Sequence, residues 1–313
     1  MAAKKATEKR HLKNGEALRE LVGLALECGA GEAQVIDAGD VRFDPRVRLK
    51  CLIPPCYMSG QCGHCPPHGF SMEETQKRLS GYSHAVFFRV PVDSCFIASP
   101  LISEALIEHR MDDRSDLWGV GLSYVLVVQI AVLLEKKAAE LGLRATGFTA
   151  GDCKDILCFF HSHCMALISQ KKGCRHPDLA RPSMESCGMD VFTMAARAGW
   201  ETYPIGGTCR PGDVPQGALM GLVMLGEDND AVRKASPTGQ GLRPTVAALP
   251  DPPFKGFSHK MKVYREKHIS LPNMLRIALW TRRRAFLRVM KNFRRMEGSW
   301  SGALKQMKNV QYL

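Results

Sequence analysis

Cys51, Cys56, Cys62 and Cys65 fall within fifteen residues, in a stretch from Lys50 to His68 that is broken by Pro54, Pro55, Gly60, Gly63, Pro66 and Pro67. Proline fixes φ and removes a donor, and glycine admits tight turns, so the stretch wraps into a loop instead of forming a helix. Thiolates repel one another. Gathering four of them is unfavourable unless a cation or an iron–sulfur core neutralises the charge, or disulfides form. A second set, Cys153, Cys158, Cys164 and Cys174, opens with the C-x4-C-x5-C spacing of Cys51, Cys56 and Cys62, which suggests a degenerate internal repeat. Eight of the twelve cysteines lie in these two sets, while Cys28, Cys95, Cys187 and Cys209 stand apart.

An iron–sulfur core takes soft thiolates, four for a cubane, from a loop able to curl around it. Pro66 directly follows Cys65, as in ferredoxin-type runs, and Pro177, three residues after Cys174, nearly repeats this. Structural zinc favours two short pairs, and here Cys62 and Cys65 form a lone C-x2-C pair. His64, His68, His161, His163 and His176 are available as nitrogen donors, which keeps zinc open. The sequence therefore predicts one or two clusters of the 4Fe-4S type, with zinc as the alternative. The ligands are Cys51, Cys56, Cys62 and Cys65, and Cys153, Cys158, Cys164 and Cys174. Arg175, next to the last of these, either tunes such a centre or binds an anion.

A chain of 313 residues, 45% hydrophobic and 24% charged, has the composition of a globular protein with a sizeable core. Its charges in the N-terminal residues are followed by no apolar run, so no secretory signal is expected. A cytoplasmic setting is expected, with peripheral membrane association left open. In a reducing compartment the cysteines read as ligands or buried thiols before disulfides. No G-x4-G-K-S/T loop, G-x-G-x-x-G turn or H-E-x-x-H helix is present, so nothing in the sequence supports nucleotide or zinc-protease chemistry.

The elements that must position these cysteines form an α+β body: a mixed sheet with flanking helices, two cysteine-rich metal loops and a C-terminal helical tail. Asn14 is placed to cap a helix running to Leu26, and Ser71 with Glu74 makes a capping box for another. Helices are expected over Leu101 to Met111, over Gly121 to Leu141 as a buried core element, and over Met184 to Ala198 behind a Ser183 cap. Strands are expected at Gln34 to Ile36, Val47 to Leu49, His84 to Val92, Arg144 to Thr149, Tyr203 to Ile205 and Leu219 to Leu225. Each cysteine set thus follows a strand.

Charge divides the chain. From Lys255 onward the net charge is +13, while residues 1–254 sum to −1. Residues 1–227 read as the cysteine-rich body, 228–257 as a Pro/Gly-rich linker and 258–313 as a basic tail. In the tail Phe286, Val289, Met290 and Phe293 share one helical face, and Arg284, Arg288, Lys291 and Arg295 line the other. The partner expected for this helix is an acidic redox protein, then an anionic membrane surface, then nucleic acid. The plainer reading is a helix that packs back on its own body.

The residues KCLIPPC and CPPH, followed by GDC and by CRHPDLARPSMESCGMDV, resemble an uncharacterised prokaryotic family described as predicted metal-binding proteins. The resemblance covers roughly residues 15–226, excludes the basic tail, and is most specific from Cys174 through Val191. It implies metal binding and supplies no reaction. In that pattern the first motif corresponds to Cys51, Cys56 and Cys65 with no counterpart of Cys62, and the second is more tightly spaced. Three cysteines would leave one iron open to substrate, whereas four would close the centre for electron transfer. The function expected is electron transfer within a larger redox system. A zinc-stabilised interaction module and an enzyme using an open iron are the alternatives.

Overall fold

The computed structural model describes residues 2–56, 58–98, 115–158, 161, 163–169, 171–203, 205, 209–227 and 287–309, with the side chains at 2–14, 95, 96, 115–120, 211 and 306–309 left aside. In chain order the elements are α1 (Ala2–Cys28), β1 (Glu32–Asp37), α2 (Pro45–Leu49), α3 (Met72–Leu79), β2 (His84–Val92), α4 (Ser94–Ile97), α5 (Ser115–Glu140), β3 (Leu143–Phe148), α6 (Cys153–Leu157), α7 (Met165–Ile168), α8 (Val191–Arg197), β4 (Gly217–Glu227), α9 (287–297) and α10 (Trp300–Asn309). The α+β class holds. The sheet order is β1-β2-β4-β3, and all three pairings are antiparallel. Parallel pairing among the described residues is confined to the isolated bridge between Thr149 and Ser183, so the expected mixture reduces to that bridge.

Side chains alternate across β2 and β4, and both faces of the sheet are covered. Val86, Phe88, Val90, Leu219, Val223 and Leu225 face α1 and α5, whose Leu21, Ala25, Leu126 and Ile130 are buried with them. Ala85, Phe87, Met220, Leu222 and Met224 face the segment from Met184 to Trp200, where the Trp200 ring stacks on Phe87 at 4.7 Å. Gly221 is needed on the first face, because a Cβ there would run into the Phe88 ring. Helix α5 is buried from Val125 to Leu134, an apolar run interrupted only by Gln129, and it closes at Gly142 with φ +74°.

Several elements differ from the sequence expectation for local reasons. Helix α1 continues back to Ala2, so Asn14 lies inside it and does not mark its start; MAAKKATEKR is rich in helix formers. Residues Val47 to Leu49 are helical, not extended, because Asp44 accepts the Arg46 N–H at 2.8 Å and Pro45 occupies the first helical position. The first cysteine loop therefore follows a helix. The expected helix over Met184 to Ala198 is two pieces. Ser183 Oγ accepts the Ser186 N–H in a 3-10 turn, Gly188 turns left-handed at φ +84°, and Asp190 caps α8. Tyr203 and Ile205 are not in a strand. The capping box of Ser71 and Glu74 is formed as expected. The expected helix at Leu101 to Met111, the 228–257 linker and the tail up to residue 286 lie outside the described residues.

In α9, Val289, Met290 and Phe293 are buried, while Arg288, Lys291 and Arg294 face solvent. Its polar ties run to the body: Asn292 Nδ2 donates to Cys28 O at 2.9 Å, and Gln129 Nε2 of α5 donates to Val289 O at 3.0 Å. No helix among the described residues is long and apolar enough to cross a membrane.

Candidate metal centre

The first cysteine loop is held by ties at its base and across its middle. Arg48, in the last turn of α2, donates through Nη1 to Phe70 O at 2.5 Å and to Ser186 O at 2.8 Å, joining both ends of the loop to the turn after Ser183. The Pro66 carbonyl accepts from Gly60 N–H at 2.7 Å and from Ser59 Oγ at 3.0 Å. Cys56 N–H reaches Cys51 O, and both His68 and Gly69 N–H reach Cys65 O. Gly69 lies so close to the His64 carbonyl that no side chain fits between them. The peptide bonds before Pro54 and Pro67 are cis.

The second set is delivered by β3. The chain leaves the sheet at Phe148, turns through Gly151 with φ +70°, and enters α6 at Cys153 under the cap of Asp152, whose buried carboxylate accepts the Asp155 N–H. A Cβ on Gly151 would press on the Tyr124 ring of α5. Cys164 caps α7. Arg175 donates to His163 O at 2.7 Å, and its guanidinium also hydrogen-bonds the Cys158 thiol. The His176 N–H points at Cys174 Sγ, 3.4 Å away. Beyond it, Arg181 grips Glu135 of α5 with both Nε and Nη2, at 2.9 and 2.7 Å.

The fold brings the two sets against each other. Cys62, fully buried, lies within hydrogen-bonding reach of the thiols of Cys65 and Cys153. Cys51 and Cys56 are neighbours of one another and Cys51 of Cys65, while Cys164 is near Cys153, Cys158 and Cys174. Cys62, Cys65, Cys153 and Cys158 are thus buried in one cluster with Cys164 and Cys174 packed against it, and none of the described cysteines is in a disulfide. Cys28 and Cys187 are buried elsewhere, as isolated core thiols.

The electrostatics follow from these contacts. Hydrogen bonds from Cys153 and Cys65 hold the Cys62 thiol well below its ordinary value, and the protons stay on Cys65 and Cys153, whose own thiols are pushed up by that same bond and by burial. Burial pushes Cys158 up to about 11, with Arg175 opposing. Cys51 and Cys174 are raised for the same reason. Burial likewise keeps His64 and His176 neutral by lowering them, and raises Asp152 and Glu185.

Three features here were not foreseen in the sequence. His68 Nε2 and His176 Nε2 are closed off without a hydrogen-bond partner, and the other nitrogen of His176 is fixed by the Leu157 carbonyl. Glu185 Oε2 is equally closed off, within electrostatic reach of Cys51. An unpaired acceptor in a buried site is costly unless something completes it. Cysteine thiols and neutral imidazole nitrogens are the donor types that a thiophilic metal or cluster takes. Among the described residues no group of three or more Cys, His, Asp or Glu side chains is placed so that it could hold a metal ion.

A family model described as "Predicted metal-binding protein (DUF2284)" matches residues 34–225. That span contains both cysteine sets and the whole sheet apart from the ends of β1 and β4. No curated protein matches the chain, and no solved structure does.

Proposed function

Since the chain belongs to the family of predicted metal-binding proteins, we propose that its two cysteine sets hold iron–sulfur centres of the 4Fe-4S kind and that the protein carries electrons within a larger redox system. The observation that supports this reading is that Cys62 and Cys65 are buried in the same cluster as Cys153 and Cys158, from two loops about ninety residues apart, with Cys164 and Cys174 packed against it. Cys51, Cys56, Cys62 and Cys65 supply one set of donors; Cys153, Cys158, Cys164 and Cys174 supply the other. Such a group, when bound, takes up and releases single electrons. The chain's own residues do the rest. Arg175 sets a cation beside Cys158 and favours the more negative state. The His176 N–H donates to a sulfur. Burial of Cys62, Cys65 and Cys153 keeps water from the interior of the site.

The exposed basic face of α9, with Arg288, Lys291 and Arg294, is the proposed docking surface for an acidic redox partner, ahead of an anionic membrane or nucleic acid. The orphaned Nε2 atoms of His68 and His176 favour a second reading, zinc held by mixed sulfur and nitrogen donors in an interaction module. Anaerobic purification followed by iron, sulfide and zinc analysis tests the pair. A brown protein with iron and acid-labile sulfide is expected, and a colourless one with stoichiometric zinc would refute the redox reading.

A further inference from the structure

We propose that the surface formed by α2, the opening residues of the first cysteine loop and the start of α8 is a contact face for a second copy of this chain. The inference goes beyond the redox reading and holds whichever metal the loops take.

Large apolar side chains are gathered here in the open. Ile53 is 73% exposed, Leu49 and Phe192 are 46% exposed, and Leu52, Pro54 and Pro55 are exposed beside them. A single turn sets the leucines and the isoleucine together, since the N–H groups of Leu52 and Ile53 both donate to Leu49 O, at 2.9 and 2.8 Å. Phe192, in the first turn of α8, is joined to them through Lys50, whose Nζ stands 5.8 Å from the ring centroid. Backbone hydrogen bonds tie the two elements: Asp44 N–H donates to Gly188 O at 2.9 Å, and Asp190 N–H to Arg42 O at 2.8 Å. The Arg48 bond to Ser186 O adds a third tie. The face is therefore fixed before anything meets it, and little order is lost on contact. Scattered exposed leucines are ordinary, whereas a contiguous apolar group on a fixed surface marks an interaction site.

Charge selects the occupant. Every charged side chain on α2, on α8 and at their caps is engaged within its own chain. Arg46 Nε donates to Asp44 Oδ2 at 2.9 Å, Arg48 donates to the two carbonyls named above, Lys50 lies over Phe192, Asp190 caps α8, and Arg197 reaches Asp40 at 3.3 Å. Such a face calls for no counter-charge, and residues 1–254, which contain it, sum to −1. Two copies of it can meet as an isologous pair without like-charge repulsion. Another exposed apolar group, Leu287, Trp300 and Leu304, is set among Arg288, Lys291 and Arg294, where two copies would repel. Pairing through α2 brings the first cysteine loops of the two copies together, and the partly exposed Cys51, between Lys50 and Leu52, is shielded from solvent by the second copy.

Sedimentation equilibrium of the full chain tests this, over a range of concentrations, at low and high salt, and under reducing conditions so that no disulfide between chains contributes. A species of twice the chain mass is expected, and it should persist at high salt because an apolar contact is not screened. Ile53→Asp and Phe192→Asp, both at exposed positions, put like charges into the contact and should each weaken the dimer at least ~100-fold. Leu304→Asp, on α10, should leave it unchanged. A chain that is monomeric at every concentration overturns the proposal and leaves the face to a different protein. A dimer indifferent to both Ile53→Asp and Phe192→Asp overturns it too, as does one that high salt or Leu304→Asp dissolves. Circular dichroism checks that the variants fold; where they do not, hydrogen exchange of the wild type decides. Protection of residues 49–53 and 191–193 that rises with protein concentration supports the contact, and protection there that is independent of concentration overturns it.

Discussion

Replacing Arg181 by alanine should loosen the second metal loop from the helix that carries it, and the size of the effect can be worked from the contacts. Arg181 Nε lies 3.1 and 2.9 Å from the two Glu135 oxygens, and Nη2 lies 2.7 Å from Oε2. Glu135 Oε1 also accepts the Gly147 N–H at 2.5 Å, so one carboxylate joins α5, β3 and the segment after Cys174. The side chains are 21% and 15% exposed, which places the pair between a surface and a buried bridge. Removing one partner of a buried pair costs about 3–5 kcal/mol. With residual solvent access we expect about 2–4 kcal/mol for R181A. E135A should cost as much, and more by the orphaned Gly147 N–H. Urea unfolding followed by tryptophan fluorescence measures both, and the double variant completes the cycle. The double loss should fall short of the sum by about 1–3 kcal/mol. Additivity within about 0.5 kcal/mol would show that the two groups do not act as a pair, and the reasoning fails.

F293A, which empties a fully buried site between α9 and the body, should cost about 3–5 kcal/mol in the same assay; a loss below about 1 kcal/mol would mean that α9 is not docked. G69A places a Cβ against the His64 backbone and should lower metal content per chain with little change in circular dichroism, so full loading in the variant would contradict the loop geometry. Asp44 has its carboxyl held below the usual 3.8 by the Arg46 side chain and N–H. A lowered folded value means stability fully present above 3.8 and lost as pH falls through the folded value. D44N should therefore flatten the acid limb of the stability profile, and an unchanged limb would refute the cap.

Where the sequence carried a strong local signal, the structure was legible in it. The Val- and Phe-rich segment from His84 to Val92, the Ser71–Glu74 capping box and the apolar run of α5 each specify one backbone geometry, and each is observed. Val47 to Leu49 misled because three residues cannot separate a period of 2 from one of 3.6, and the deciding contact is the Asp44 cap upstream. Within Met184 to Ala198 the helical pattern is continuous, but Gly188 takes the left-handed conformation that closes a turn, so the helix restarts at Asp190. At the site, the residue types were readable and their meeting was not. Nothing in the spacing of Cys62 and Cys153 says that they touch; that comes from β3 emptying beside the first loop. The Arg48 clamp and the Arg181–Glu135 grip are equally invisible, since each joins residues that share no pattern.

Helix α9 lies on α1 and α5, and Asn292 reaches the backbone of Cys28 across 264 positions of chain. Gly29 has the Arg288 stem packed against it. A ribosome making this chain would thus release the sheet, both thiol loops and most of the core before α9, whose Val289, Met290 and Phe293 complete the buried cluster, exists. Until α9 emerges, the nascent body presents an apolar seam to the cell, so the cysteine loops form before that seam is closed and the seam needs protection meanwhile.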